Sequence, residues 1–177
     1  MNHDDYSEDY IRGILDEVRT IAMVGASANP IRPSYFAMKY LLEKGYEVIP
    51  VNPREAGGEI LGRTVYTALA DIPKEKRVDM VDIFRASEAA GPLTDEAIAI
   101  GARVVWMQLG VRNDEAARRA EAAGLKVVMN RCPKMEYGKL SGEWGWVGGN
   151  SGRISSRRGR LAGNRVQSLG IGGREKY

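Results

Sequence analysis

The sequence predicts an α/β fold in which a doubly wound, mostly parallel sheet carries helices on both faces. Two observations predict it. The segments LLEKGYEVIPVN, AIAIGARVVWMQ and AEAAGLKVVMNR each run from helix-forming residues through a glycine (Gly45, Gly101, Gly124) into a short apolar run. That is how a helix stops at a left-handed position and hands the chain to a buried strand. Two further apolar runs, at 21–25 and in VDMVDIF at 78–84, complete an alternation of strands and helices, which implies a parallel sheet covered on both sides. At 177 residues the chain is long enough for one sizeable core and too short to expect two domains.

The elements follow in order. Residues 1–13 open with MNHDDYSEDY, an acidic stretch holding the only histidine, His3, and are expected to be flexible. The folded domain is expected over 14–148. A strand at 21–25 empties into GASANP. The next helix is placed at 34–44, with Ser34 as its cap and Tyr35, Met38, Leu41 and Leu42 on one face. After Gly45 the second strand runs to Val51, and a short edge strand is expected near Thr64 to Tyr66. VDMVDIF is the fourth strand and VVWMQ the fifth, with Trp106 in the core and Met107 and Met129 as core filler. Asn113 caps the helix before Gly124, whose first turn holds Asp114 and Glu115. KVVMNR closes the sheet, and Trp144 and Trp146 are expected to pack.

Charge separates the body from the tail. The formal net charge is +3, yet residues 1–150 hold 19 Lys+Arg against 22 Asp+Glu, whereas 151–177 hold 7 against 1. The segment 149–177 is rich in Gly, Ser and Arg and has too few periodic apolar residues to order itself. As a nucleic-acid arm it supports only weak, sequence-blind binding; a solubilising or subunit-contacting tail, within a homo-oligomer, is the plainer role. No apolar run approaches the roughly 18 residues of a membrane span, and the acidic opening is unlike a secretory signal, so a cytoplasmic protein is expected. The single cysteine, Cys132, excludes an internal disulfide and a multi-cysteine metal site, and the placement of His3 argues against histidine catalysis and zinc chemistry.

In doubly wound folds ligands gather outside the carboxyl ends of the strands. Those ends carry GASANP, then Val51 to Pro53, Phe84 and Arg85, Gln108 to Gly110, and Asn130 to Cys132. Neutral amides recur there, suited either to a ligand with amide or base edges or to capping the next helices. Of the dinucleotide fingerprint G-x-G-x-x-G, the three glycine positions read Gly25, Ser27 and Pro30. Only the first glycine survives, yet the longer loop still offers backbone donors and the hydroxyls of Ser27 and Ser34 to an anion. After the second strand, where NAD binders place an acidic residue, stand Asn52, Pro53 and Arg54. With Arg32 in the first loop, this suits a ribose that carries a phosphate, as in NADP or coenzyme A; the alternative is that both arginines are solvated surface charges.

The runs VGASANPIRPSYFAMKYLLEKGYEVIPVNP, DMVDIFR and VVWMQLGVRNDEAARRAEAAGLKVVMNRC together resemble the stand-alone CoA-binding domain proteins, relatives of the N-terminal domain of the succinyl-CoA synthetase α subunit. The resemblance covers about Ile14 to Leu140 and leaves the tail outside. It implies a Rossmann-like domain that holds CoA or acyl-CoA across the strand ends. By that resemblance Gly25, Ala26, Ser27, Arg32, Pro33, Ser34 and Tyr35 line the phosphate loop, Asn52 and Pro53 flank the adenosine side, and Phe84, Arg85, Gln108 and Gly110 border the rest of the ligand; Arg54 joins the adenosine side on the grounds given above.

The synthetases activate succinate through a phosphorylated histidine in a second domain, whereas here no second domain is expected and the only histidine, His3, lies near the N-terminus. A CoA-binding module is therefore expected rather than an enzyme. The rival is an NAD(P)-binding redox sensor, although no helix-turn-helix precedes Ile21. Asp79 and Asp82 read as edge and turn positions bracketing a strand. Arg85 is expected at the ligand crevice, with a structural ion pair as the alternative. Replacing Gly25 is expected to remove nucleotide binding while the fold survives. Cys132, flanked by Arg131 and Lys134, is either a buried apolar residue or a thiol reactive enough to exchange with CoA disulfide.

Overall fold

The computed structural model describes residues 1–143. The expectations for the 149–177 tail and for Trp144 and Trp146 lie outside the described residues. Five parallel strands form the sheet: β1 (Thr20–Val24), β2 (Glu47–Val51), β5 (Met80–Ile83), β6 (Val104–Met107) and β7 (Lys126–Val128), in the order β2-β1-β5-β6-β7. The register sets Ile21 beside Val48 and Met80, and Met80 beside Val104. Between β2 and β5 a hairpin of two-residue strands, β3 (Glu59–Ile60) and β4 (Arg63–Thr64), stands apart from the sheet. The expected edge strand contracts to a single parallel bridge between Val51 and Tyr66.

Alternation along the strands divides the core in two. Ile21, Met23, Met80, Val104 and Trp106 face α1 (Glu8–Glu17), α2 (Pro33–Glu43) and α5 (Pro133–Leu140). Ala22, Val24, Val81, Ile83 and Val105 face α3 (Ser87–Ala99) and α4 (Asp114–Ala122). The helices on this second face present alanines (Ala90, Ala97, Ala116, Ala117 and Ala120), which let them approach the sheet closely. Gly45, Gly101 and Gly124 take φ of 85°, 75° and 88°, the left-handed exits expected at the three helix-to-strand joints. No helix among the described residues is long and apolar enough to cross a membrane.

Three local expectations are corrected. Residues within the stretch expected to be flexible form the first half of α1, whose N-cap Ser7 accepts from the Tyr10 N–H and whose Ile11, Ile14 and Leu15 are buried. The periodic apolar residues outweigh the acidic composition, since Glu8 and Asp9 occupy the first turn, where negative charge favours a helix. His3 is likewise buried, its Nδ1 2.9 Å from the Tyr6 hydroxyl and its Nε2 3.4 Å from Glu121. The Tyr6 and Tyr10 rings stack 5.9 Å apart along β7. Tyr10 OH donates to the Val127 carbonyl and accepts from the Val127 N–H, and Tyr6 OH accepts from the Met129 N–H.

α2 starts at Pro33, with Arg32 at its N-cap, so Ser34 is a buried first-turn residue instead of the cap. Proline's fixed φ suits the first helical position and moves the start one residue earlier. Asn113 does cap α4, accepting from the Ala116 N–H at 2.9 Å.

Asp82 is the third correction. It lies inside β5, fully buried, between Met23 and Trp106 on the neighbouring strands. Asp79, just before the strand, accepts from the N–H groups of Arg19 and Thr20 and pairs with Arg103 at 2.8 Å. Burial pushes the Asp79 carboxyl up, but these donors outweigh it and hold the group below its ordinary value.

Candidate functional site

The chain leaves β1 toward β2 on one side and returns to β5 on the other, so strand order reverses between β1 and β5. At that point Gly25 (φ 88°) turns so close to β5 that a Cβ there would stand 2.4 Å from the Phe84 carbonyl oxygen and 3.1 Å from Arg85 Cδ. Gly25 is thus required by the packing of the two strand exits themselves. A larger residue at 25 strains the two strand exits, a cost in stability that adds to the expected loss of nucleotide binding.

Two clefts meet there. The larger, about 880 Å³, opens between the starts of α2 and α5 over the ends of β5 and β6, with Pro33, Phe84, Arg85, Gln108 and Cys132 among its walls. The smaller, about 310 Å³, lies on the α3 side and is walled by Gly25, Pro53, Thr67, Leu69, Arg85 and Leu93. Arg85 borders both. It is exposed, and no ion pair among the described residues includes it.

The remaining expected residues surround this junction or stand off from it. Ala26 is buried and its carbonyl accepts from Asn52 Nδ2 at 2.8 Å; Asn52 Oδ1 in turn accepts from the Arg54 N–H. Arg32 and Arg54 are exposed, while Tyr35 is half-buried, edge-on to Phe36. Gly110 lies outside both cleft walls, its N–H donating to Asn130 Oδ1 at 2.8 Å. The amides at the strand ends therefore serve the protein: Asn52 ties β2 to the first loop, Asn130 ties β7 to β6, and Gln108 holds Asp82.

Glu55 was not foreseen. Its carboxylate accepts from Ser27 Oγ at 3.1 Å and from the Ala28 N–H at 2.8 Å. A carboxylate does follow the second strand, four residues past its end, and it reaches the anion-binding loop. The sequence signal was present in PRE, but only the fold of residues 52–55 returns that side chain to the loop.

Helix starts set the electrostatics. α1 and α4 carry oxygen caps, Ser7 and Asn113, each accepting from one first-turn N–H. α2 and α3 begin at Arg32 and Ala86 without a side-chain cap, and α5 begins at Cys132, where the thiol is a weak acceptor. These three starts converge on the larger cleft, since Pro33, Ala86 and Cys132 all line it. Their first-turn N–H groups and dipoles favour an anion there.

Beneath them lies an acid. Gln108 Nε2 donates to both carboxyl oxygens of Asp82, and burial, only partly opposed by that hydrogen bond, pushes Asp82 up to about 8. Burial also raises the Cys132 thiol, and neighbouring Asp82 adds to the effect, while the backbone of Met135 and Lys134 opposes it. The charge of Lys134 favours the thiolate, but burial outweighs it, so of the two alternatives for Cys132 the buried, unreactive thiol is the one supported. Arg131 turns to the Tyr6 ring (5.7 Å) and Glu136 (3.7 Å), and Lys134 Nζ sits 5.9 Å from the Tyr40 ring centroid.

The family model described as "CoA binding domain" matches residues 19–138. The chain is 35% identical over 127 residues to the uncharacterized protein YneT of Bacillus subtilis (strain 168), covering 72% of this chain and 91% of that protein. It is 37% identical over 91 residues to the alpha subunit of the ADP-forming acetate–CoA ligase I of Pyrococcus furiosus, a match that covers 49% of this chain and 19% of that subunit. Among solved structures, a hypothetical protein from Pyrococcus horikoshii OT3 superposes with a TM-score of 0.72 at 41% identity, covering 79% of this chain and 96% of that one.

Proposed function

The chain belongs to the CoA-binding domain family, and from that premise we propose that it is a binding module for coenzyme A, free or acylated, held across the β1/β5 switch point. The adenosine lies in the smaller cleft against Pro53, Leu69 and Leu93. The diphosphate passes the loop after β1 and lies beside Arg85 at the head of the larger cleft, where the three helices start, and the pantetheine arm continues along that cleft toward Gln108. Arg32 and Arg54 take the 3′-phosphate.

One observation carries this reading: three helices start at the larger cleft without an oxygen cap of their own, whereas α1 and α4 are capped. A phosphate-bearing ligand supplies the missing acceptors. A bipartite cleft joined at one arginine suits a ligand with a nucleotide at one end and a long arm at the other.

Glu55 favours a second reading, a nicotinamide dinucleotide, because a carboxylate near the end of the second strand is what ribose hydroxyls use. Both of its oxygens are engaged by Ser27 and Ala28, which supports the first reading over it. Calorimetry with CoA, dephospho-CoA, NAD and NADP decides the matter. CoA is expected to bind tightest and dephospho-CoA more weakly; tighter binding of NAD than of CoA overturns the proposal.

A further inference from the structure

Four large apolar side chains stand in water at the mouth of the larger cleft. Ile31, Phe36, Leu109 and Met135 are 83%, 52%, 55% and 49% exposed, and apart from Met1 they are the exposed large hydrophobic residues among the described residues. All four line the same cleft. Scattered singly, such residues need no explanation, but gathered around one opening they mark a binding surface. They come from the loop after β1, the first turns of α2 and α5, and the loop after β6, so the fold converges on this ring from several directions.

We infer that the ring receives the aliphatic chain of an acyl-CoA, so that the ligand class is a CoA thioester with an apolar acyl chain; this rests on the CoA reading above. The ring is continuous with Phe84, Arg85 and Gln108 deeper in the same cleft, where the pantetheine arm is placed. An acyl group leaving the end of that arm emerges among Ile31, Phe36, Leu109 and Met135. A stable protein partner needs about 800 Å² on each side, far more than four side chains around a concave opening supply.

The test is calorimetry on the full chain with CoA, acetyl-CoA, butyryl-CoA and hexanoyl-CoA. Each fully buried methylene tightens binding by about fourfold, so hexanoyl-CoA, with four more than acetyl-CoA, is expected to bind ~16-fold tighter if two of them are buried and ~250-fold tighter if all four are. In the double variant Phe36→Ser, Met135→Ser the hexanoyl-to-acetyl affinity ratio, taken within the variant, is expected to fall severalfold, and circular dichroism checks that the fold is kept. CoA and hexanoyl-CoA binding equally well overturns the acyl inference while the CoA reading stands. No binding of any thioester or of CoA overturns the CoA reading itself. Equal affinities together with self-association in light scattering that the double variant abolishes assign the ring to contact between copies and also overturn the inference.

Discussion

Gln108 Nε2 lies 3.0 and 3.1 Å from the two carboxyl oxygens of Asp82, an acid with no exposed surface on the third strand of a parallel sheet. Asp82 keeps its proton to about pH 8 in the folded state, whereas in the unfolded chain it ionises near its ordinary value of 3.8. Between those two pH values the unfolded state has released a proton that the folded state still holds, so the contribution of Asp82 to stability is complete below about pH 4 and is lost as pH rises toward 8. The loss is on the order of a few kcal/mol. Urea denaturation from pH 5 to 8 is expected to show this decline in the parent and to show it flattened in Asp82→Asn.

Arg85→Gln is expected to weaken CoA binding by about 10-fold to 100-fold, the scale of a lost charge-assisted hydrogen bond. The side chain is exposed, so thermal stability is expected to stay within about 0.5 kcal/mol of the parent. An unchanged dissociation constant would remove Arg85 from the ligand path.

Glu55→Gln takes a negative charge from the loop where phosphates are placed. CoA binding is expected to tighten by about threefold to tenfold at low salt, and less at high salt as screening takes over. Weaker binding in titrations of the variant would mean that the carboxylate touches the ligand, as a dinucleotide ribose requires.

Gly25→Ala is expected to cost at least about 2 kcal/mol in denaturant unfolding, because a left-handed alanine is strained and its Cβ meets the Phe84 carbonyl. Stability equal to the parent would show that the β1 and β5 exits separate at little cost.

Cys132 is expected to react slowly. With its thiol raised by burial, protein incubated with CoA disulfide at pH 7 should show no CoA-sized adduct by mass spectrometry over an hour. Rapid, reductant-reversible adduct formation at pH 7 would contradict this.

The sheet was legible because its signals are local. Gly45, Gly101 and Gly124 mark joints within a dozen residues each, and Asn113 caps the helix beside it. The strand ends were legible too, and with them Arg85 and Gln108. What escaped depends on residues brought together from a distance. Asp82 sits in an apolar run that reads as easily with its acids at the borders, and only the register beside Met23 and Trp106 puts it in the core. Glu55 meets Ser27 across 28 positions of sequence. Phe36 and Met135 look like ordinary amphipathic-helix residues until the starts of α2 and α5 face one another across the cleft. The cap was misplaced by two residues, from Arg32 to Ser34, because the proline between them begins the helix.

The phenols along β7 have a consequence for how copies of this chain meet. A terminal strand of a sheet ordinarily offers its outward N–H and C=O groups to any extended chain that comes near. Here one hydroxyl answers both groups of Val127 and another answers the N–H of Met129. A phenol can do this because it donates and accepts at once, and burial raises both tyrosines so that each keeps its proton. Phenylalanine at 10 would preserve the stacked ring and abandon both backbone groups. The N-terminal residues thus act as a selvedge to the sheet: along this stretch strand addition finds its backbone partners already taken, and assembly between copies must use another surface.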